Sequence, residues 1–337
     1  MFYPLKFKPI YKEKIWGSES WKLAAHENGN SVVINGHFKD RSLTELVNEY
    51  WTEIMGTEIS KDNYDKFPLL VKILDANDRL SVQVHPDDEY AAKYEDGELG
   101  KTEMWYIIDA EPGAELIYGL KEEVTKEEFT NSIDNDTLVN KLNSIPVKKG
   151  DIIFIPTGTV HTIKSGILLA EIQQNSDTTY RVYDWNRLGN DGKPRALHID
   201  KALDVIDFDR TRYEKSKSIK YSTDRYQREI LAICEYFVVE RLIVSDKFIG
   251  ELKKERFEIL LCLDGQAKIE YDSSVIRLNK GETVLIPAAL NKYTIQGEAE
   301  ILKSYITNRP GDLVTQLLDD GLSKEEVAQI GGAAEFL

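Results

Sequence analysis

Five histidines stand in this 337-residue sequence, and two of them occupy settings where an imidazole can do chemistry. His85 closes the run LSVQVH, at the end of an alternating strand pattern, and His161 follows a Gly-containing turn in PTGTVHTI. His26, His37 and His198 lie in polar, turn-like or helix-edge stretches and read as ordinary hydrogen-bonded histidines. Two imidazoles joined by a carboxylate form a borderline-soft donor set with an open coordination position, as catalytic zinc requires. Iron or manganese accepts the same donors, and the Irving–Williams order does not decide among them. Cys234 and Cys262 sit in apolar runs without a CxxC spacing, so they read as two buried thiols in a reducing compartment.

Such residues need a scaffold. Short runs rich in β-branched residues, bounded by Gly, Pro, Asp or Asn, recur at 68–76, 80–85, 103–109, 114–120, 151–156 and 166–174. They resume at 237–244, 256–263, 266–272, 274–278, 282–287 and 299–306. Helical patterns intervene at 42–55 and 125–143, each opened by a capping box (Ser42 with Glu45, Thr125 with Glu128), and at 199–206. Strands rarely alternate with long helices, so a closed, mainly β architecture with helical insertions fits better than a doubly wound parallel sheet. Residues 209–229 are polar and nearly free of aliphatic side chains, as a connection would be. The expected division is a catalytic barrel over 1–208 with helical insertions, a connecting segment over 209–229, and a second barrel over 230–337.

The two β regions form a weak internal repeat. The run from Glu103 to Asp109 lines up with Glu258 to Asp264, and Lys149 to Pro156 lines up with Lys280 to Pro287. In each copy a Gly permits a tight turn and a Pro ends the strand that follows. Five residues past Pro156 stands His161, whereas five past Pro287 stands Lys292, and Gly158 is matched by Ala289. The second region keeps the punctuation and lacks the metal-type ligand.

Gly150, Pro156, Gly158 and His161 spell G-x5-P-x-G-x2-H, which resembles the second motif of the cupin superfamily, where the His binds a metal inside the barrel. Gln83-x-His85 stands where the first motif places two ligands, and Glu103 follows eighteen residues later, after the helical excursion PDDEYAAKYEDGELGKT. SVQVHPDDEYA, YEDGELGKTEMWYII, PTGTVHTI and QQNSDTTYRVYDWNR, with the opening KEKIWGSESW, together resemble the type I mannose-6-phosphate isomerases, particularly their shorter bacterial form. The likeness covers roughly residues 4–200 and continues more loosely beyond. Longer members end one stretch in Asn-His-Lys-Pro-Glu, whereas this chain has Leu99-Gly100-Lys101-Thr102-Glu103.

The resemblance implies two cupin barrels of the double-stranded β-helix or jelly-roll type. It implies one divalent metal ion per chain, zinc first, held by His85, Glu103 and His161. Gln83 shares a strand face with His85 and matches a ligand of the longer relatives. The implied reaction interconverts mannose 6-phosphate and fructose 6-phosphate, moving a proton between C2 and C1 through a cis-enediol. The enediolate oxygen needs fixed positive charge, which a divalent cation and a guanidinium can provide. Arg181 matches the family's active-site arginine; its plainer alternative is an ion pair among Asp177, Asp184 and Arg187. Lys101 matches an active-site lysine and, two residues from Glu103, could carry a proton or bind phosphate. Thr178 and Thr179 are further phosphate candidates. Trp16 and Trp105 could flank the mouth, although packing is their plainer role.

Acidic residues outnumber basic ones 58 to 43, for a net charge of −15. Such a chain repels nucleic acid and anionic membranes, and must take an anionic substrate through a local basic site. There is no apolar run of about 18 residues and no signal-like N-terminus, so the cytoplasm is expected, and the resemblance implies a monomer or homodimer acting on a small sugar phosphate. A cupin dioxygenase or sugar epimerase would leave the Lys101 and Arg181 matches unexplained. A non-catalytic sugar-binding or regulatory cupin would bring an appended DNA-binding helix-turn-helix, which is not seen and which the net charge opposes, and a storage-type bicupin would have no need of the metal donors.

Overall fold

A computed structural model describes residues 1–121, 124–189, 192–210 and 213–337. The chain is mainly β, as its alternating apolar runs predict, and the helices are short insertions between strands. The capping boxes form as read: Ser42 and Thr125 each accept from the backbone N–H three residues on, and Glu45 and Glu128 reach back. The 42–55 pattern splits into helices Leu43–Glu49 and Trp51–Met55, and the 125–143 pattern stops at Asp134. No helix among the described residues is long and apolar enough to cross a membrane.

Contacts group the chain into two compact units, one of residues 11–20 and 72–215, the other of residues 1–10, 21–71 and 216–337. This differs from a cut after residue 208, and the reason is long-range strand pairing. Leu5–Lys8 lies antiparallel to Thr283–Ile286, with Leu5 opposite Leu285, so the N-terminus belongs with the C-terminal strands. The segment read as a connection over 209–229, of which 211 and 212 lie outside the described residues, carries strand Ile219–Ser222 and the start of Tyr226–Ile233. Its polar residues alternate on the edge of a sheet, where one face is wet.

The unit of residues 11–20 and 72–215 is built around two sheets. One runs in the order Leu142–Pro146, Glu115–Leu120, His161–Ile163, Val82–Val84, Tyr180–Tyr183. The other runs Ile152–Ile155, Glu103–Ala110, Ile167–Gln174, Leu69–Ala76, Gly17–Leu23, Ile10–Lys14. Leu74, Ile107, Ile153, Ile155 and Leu169 from the second sheet meet Leu116, Tyr118 and Ile163 from the first in one apolar core. At about 1.5–3 kcal/mol per buried aliphatic side chain, this core fixes the register of both sheets.

The other unit carries a ten-stranded sheet, centred on Lys292–Tyr305 and Glu258–Tyr271. The runs expected as separate strands at 256–263 and 266–272 are one strand, Glu258–Tyr271, with a register shift between Cys262 and Asp264. Gly265 there has φ +73°, and a glycine at positive φ lets the strand bulge and continue where a turn was expected. Cys234 and Cys262 are buried free thiols, and burial pushes both thiols up to about 12.

Candidate metal centre

Three strand ends converge within the first-described unit. His85 follows strand Val82–Val84, His161 opens His161–Ile163, and Glu103 opens Glu103–Ala110 on the facing sheet. His161 lies opposite Gln83 in the ladder, which brings Gln83 to the same point. Two glycines make the approach possible. Gly158 adopts φ +78°, donates to His85 O at 3.0 Å, and a Cβ there would stand 2.9 Å from Val205 O. Gly100 packs so closely on the 87–88 backbone that a Cβ would meet Asp87 C at 2.6 Å, which sets the course of Lys101 and Glu103.

One donor atom from each of His85, Glu103 and His161 lies within 4.8 Å of the others, and all three side chains are buried. His85 Nε2 is 3.2 Å from Glu103 Oε1, and His161 Nε2 is 3.8 Å from Oε2. The Gln83 carboxamide faces both imidazoles, its nitrogen 3.5 Å from His85 Nε2 and 3.2 Å from His161 Nε2. The far side of each ring is tied down: His85 Nδ1 donates to Thr178 O and His161 Nδ1 to Thr159 O, both at 2.8 Å. A carbonyl only accepts, so each Nδ1 carries the proton and each Nε2 turns a lone pair inward.

These residues fit a divalent cation. Both oxygens of Glu103 are buried without a directed hydrogen bond, a costly state for a carboxylate that a cation would relieve. Burial opposes the charge of Glu103, but Lys101 and His85 outweigh it and hold its carboxyl well below the usual range. Burial, with Lys101 adding to it, lowers His85 to about 3, and burial also lowers His161. The set is therefore two neutral imidazoles and a carboxylate, the protonation states in which these groups ligate metals.

The centre adjoins a cavity of about 290 Å³. Gln83, Lys101, Thr179 and Arg181 line it, as do Trp16 and Trp105. Both tryptophans also belong to the apolar core, so each packs and lines at once. Lys101 Nζ lies 2.8 Å from Glu103 Oε1 and 3.2 Å from His85 Nε2. Arg181 stands outside the ion pair considered for it: Asp184 is taken by Arg187 and Arg195, and Arg181 Nη1 donates to Ala196 O at 2.9 Å. Its Nε is buried with no hydrogen-bond partner among the described residues. Thr178 contributes its carbonyl to His85 and is not among the lining residues. His198, read as an ordinary histidine, accepts from Arg181 N at 3.2 Å.

Sequence reasoning missed several cavity residues, among them Lys72, Glu171 and Arg195. Lys72 Nζ is 3.0 Å from Glu171 Oε1 and 2.6 Å from Gln173 Oε1, and Trp105 Nε1 donates to Glu171 Oε2 at 2.9 Å. Burial raises the Glu171 pKa, and the nearby Glu103 charge adds to it. A signal existed: Lys72 interrupts PLLVKILDA and Glu171 interrupts ILLAEIQQ, and a lone charge inside an apolar strand needs a buried partner.

Residues 8–111 match the family described as phosphomannose isomerase type I, catalytic domain, and residues 227–306 match the mannose-6-phosphate isomerase cupin domain. The chain is 40% identical over 320 residues to mannose-6-phosphate isomerase ManA of Bacillus subtilis, covering 90% of this chain and 99% of that one. It is 38% identical over 322 residues to mannose-6-phosphate isomerase of Streptococcus mutans, covering 90% and 98%. The crystal structure of mannose 6-phosphate isomerase from Bacillus subtilis superposes with a TM-score of 0.84 at 35% identity, covering 90% of this chain and 99% of that one.

Proposed function

The chain belongs to the type I phosphomannose isomerases and interconverts mannose 6-phosphate and fructose 6-phosphate, and we propose that it does so where Gln83, His85, Glu103 and His161 hold one divalent cation. The observation that carries this reading is the pair of imidazoles locked by Thr178 O and Thr159 O with their free nitrogens facing a carboxylate that has no directed hydrogen bond. Zinc suits two imidazole nitrogens and a carboxylate with a position left open, and the Gln83 carboxamide, turned over so that its oxygen faces the imidazoles, would add a further donor. Such an ion supplies a double positive charge beside which an enediolate oxygen can develop.

The remaining work falls to side chains. Lys101 reaches into the cavity beside Glu103 and is placed to move a proton between the two reacting carbons. Arg181 adds a guanidinium that keeps its charge at any working pH, opposite the growing negative charge. Trp16 and Trp105 wall the cavity with apolar surface and keep water from the enediol. The domain reading that accompanies this is two cupin barrels, only one of them bearing metal ligands; the matched register around Glu103 and Glu258 supports it. The setting we assign is the cytoplasm, as a monomer or homodimer.

The test is conversion of mannose 6-phosphate by the purified protein before and after chelation, with metal content read by elemental analysis. About one metal per chain, turnover abolished by chelation and recovery with zinc are expected. A protein that holds its metal and leaves the sugar phosphate unchanged would sink the reading.

A further inference from the structure

The cavity has to hold a phosphate dianion inside a protein of net charge −15, so the cations around it differ in a way that matters. Most are already spent. Lys72 is paired with Glu171, Lys101 stands on Glu103, and Lys14 lies 3.4 Å from Glu19. Arg195 is different. Its Nε donates to Asp184 Oδ2 at 2.7 Å and its Nη2 to Oδ1 at 2.6 Å. A guanidinium has two forked edges, and Asp184 takes the side edge of Arg195. The end edge keeps Nη1, which has no partner among the described residues.

Asp184 does not neutralise Arg195 outright. The same carboxylate oxygen accepts from Arg187, Nη2 at 2.9 Å and Nε at 3.1 Å, and Arg187 also meets Asp78 Oδ2 at 3.4 Å, so Asp184 divides its hydrogen bonds between two guanidiniums. Asp184 is nearly buried, and burial opposes its charge, but Arg195 and Arg187 hold its carboxyl below the usual range. The carboxylate thus works as a rigid post. It fixes the plane of Arg195 on the wall where Arg181 also stands.

We propose that Arg195, oriented by Asp184, is the residue that seats the phosphate of the substrate, leaving Lys101 and Arg181 to the reacting carbons. This rests on the isomerase reading above. A planar fork fixed from behind presents parallel N–H donors to a phosphate with little rotamer freedom left to lose. Asp184 is a positioning residue in this arrangement, since it acts through Arg195.

The experiment compares the metal-loaded parent with Arg195→Met, Arg195→Lys and Asp184→Asn. Arg195→Met should raise KM for mannose 6-phosphate by about tenfold to a hundredfold with kcat nearly unchanged, the mark of lost binding common to ground and transition state. Asp184→Asn should raise KM less, in the same direction, and Arg195→Lys should fall between parent and Met. Inorganic phosphate as a probe gives a readout without turnover: its thermal stabilisation of the parent should be lost in Arg195→Met. If parent and Arg195→Met show equal phosphate stabilisation and equal KM, the assignment is overturned. It is also overturned if kcat falls while KM holds, because that places Arg195 at the reacting carbons. A parent that responds to phosphate through Arg195 and yet fails to turn over mannose 6-phosphate overturns the isomerase reading and leaves the anion seat standing.

Discussion

Glu103 and Glu258 head corresponding strands, with Ile155 opposite the first and Ile286 opposite the second, and both are buried. Their surroundings are opposite. Glu103 faces two imidazoles, with Lys101 Nζ 2.8 Å from one oxygen, whereas Glu258 faces no imidazole and accepts from the Tyr293 hydroxyl at 2.5 Å and from Lys303 Nζ at 3.4 Å. The inversion continues along the next strands. Glu171 is the ladder partner of Trp105 and pairs with Lys72; Lys303 is the ladder partner of Leu260 and pairs with Glu240 at 3.0 Å. Where one unit puts a carboxylate, the other puts an ammonium. One unit thus carries a donor set that suits a cation, and the other a buried ion cluster that supplies its own. The turn past the strand-ending proline helps decide which, because it delivers buried His161 in one unit and exposed Lys292 followed by buried Tyr293 in the other.

The sharpest way to break this contrast is the same substitution in both places. Glu103→Gln should remove the metal and cut turnover on the order of a thousandfold, read by elemental analysis and sugar-phosphate assay. Glu258→Gln should leave metal and turnover in place and cost about 1–3 kcal/mol of stability, since Tyr293 and Lys303 lose a charged acceptor. Equal losses in the two variants would remove the distinction between the units.

An effect on stability alone is expected from the ion cluster. Glu240 is met by Lys303, by Arg228 through Nε at 2.8 Å and Nη2 at 2.7 Å, and by the Tyr305 hydroxyl at 2.8 Å. Burial opposes its ionisation, yet Lys303 and Arg228 prevail and hold it far below its ordinary value. A carboxyl depressed in the folded state adds stability above its unfolded pKa of about 4.5 and loses it as pH falls below that. The melting temperature should therefore drop on acidification below about pH 4.5, and less steeply in Glu240→Gln. At neutral pH that variant should be destabilised by about 3 kcal/mol, because Lys303 stays buried with only the longer contact to Glu258.

The least effect comes from the turn itself. Gly158→Ala asks an L residue to hold φ +78° with its Cβ 2.9 Å from Val205 O, at a cost of about 1–3 kcal/mol, and should loosen His85 and His161 enough to weaken metal retention. The matched position already carries Ala289, so Ala289→Gly should cost about 1 kcal/mol or less and leave the metal untouched. Thermal melts with and without chelator check both.

The donor set was legible because its residues announce themselves through local punctuation: strand, turn, Gly158, His161, and a strand-end His85 with Gln83 two residues before it. The cavity's other charges were not, since Lys72, Glu171 and Arg195 become functional only through partners on distant segments. The fold shows the same divide. Alternating runs and capping boxes marked most elements, while the bulge at Gly265 looked like a turn and the pairing of Leu5–Lys8 with Thr283–Ile286 left no local trace. Periodicity reports which face of a strand is buried and is silent on which strand lies beside it.

That last pairing has a temporal side. Leu5 meets Leu285, so a strand made at the very start of synthesis waits for one made near the end, tens of seconds later at ordinary ribosome speeds. Residues 11–20 and 72–215, nested between the two, leave the ribosome complete while the N-terminal strand still lacks this partner. Its sequence is suited to the delay: LKFK places Lys6 and Lys8 on alternate positions, and cationic strands resist pairing with the wrong edge. Once Thr283–Ile286 arrives, Lys6 finds Glu282 at 2.7 Å, and the charge that guarded the nascent chain becomes part of the finished one.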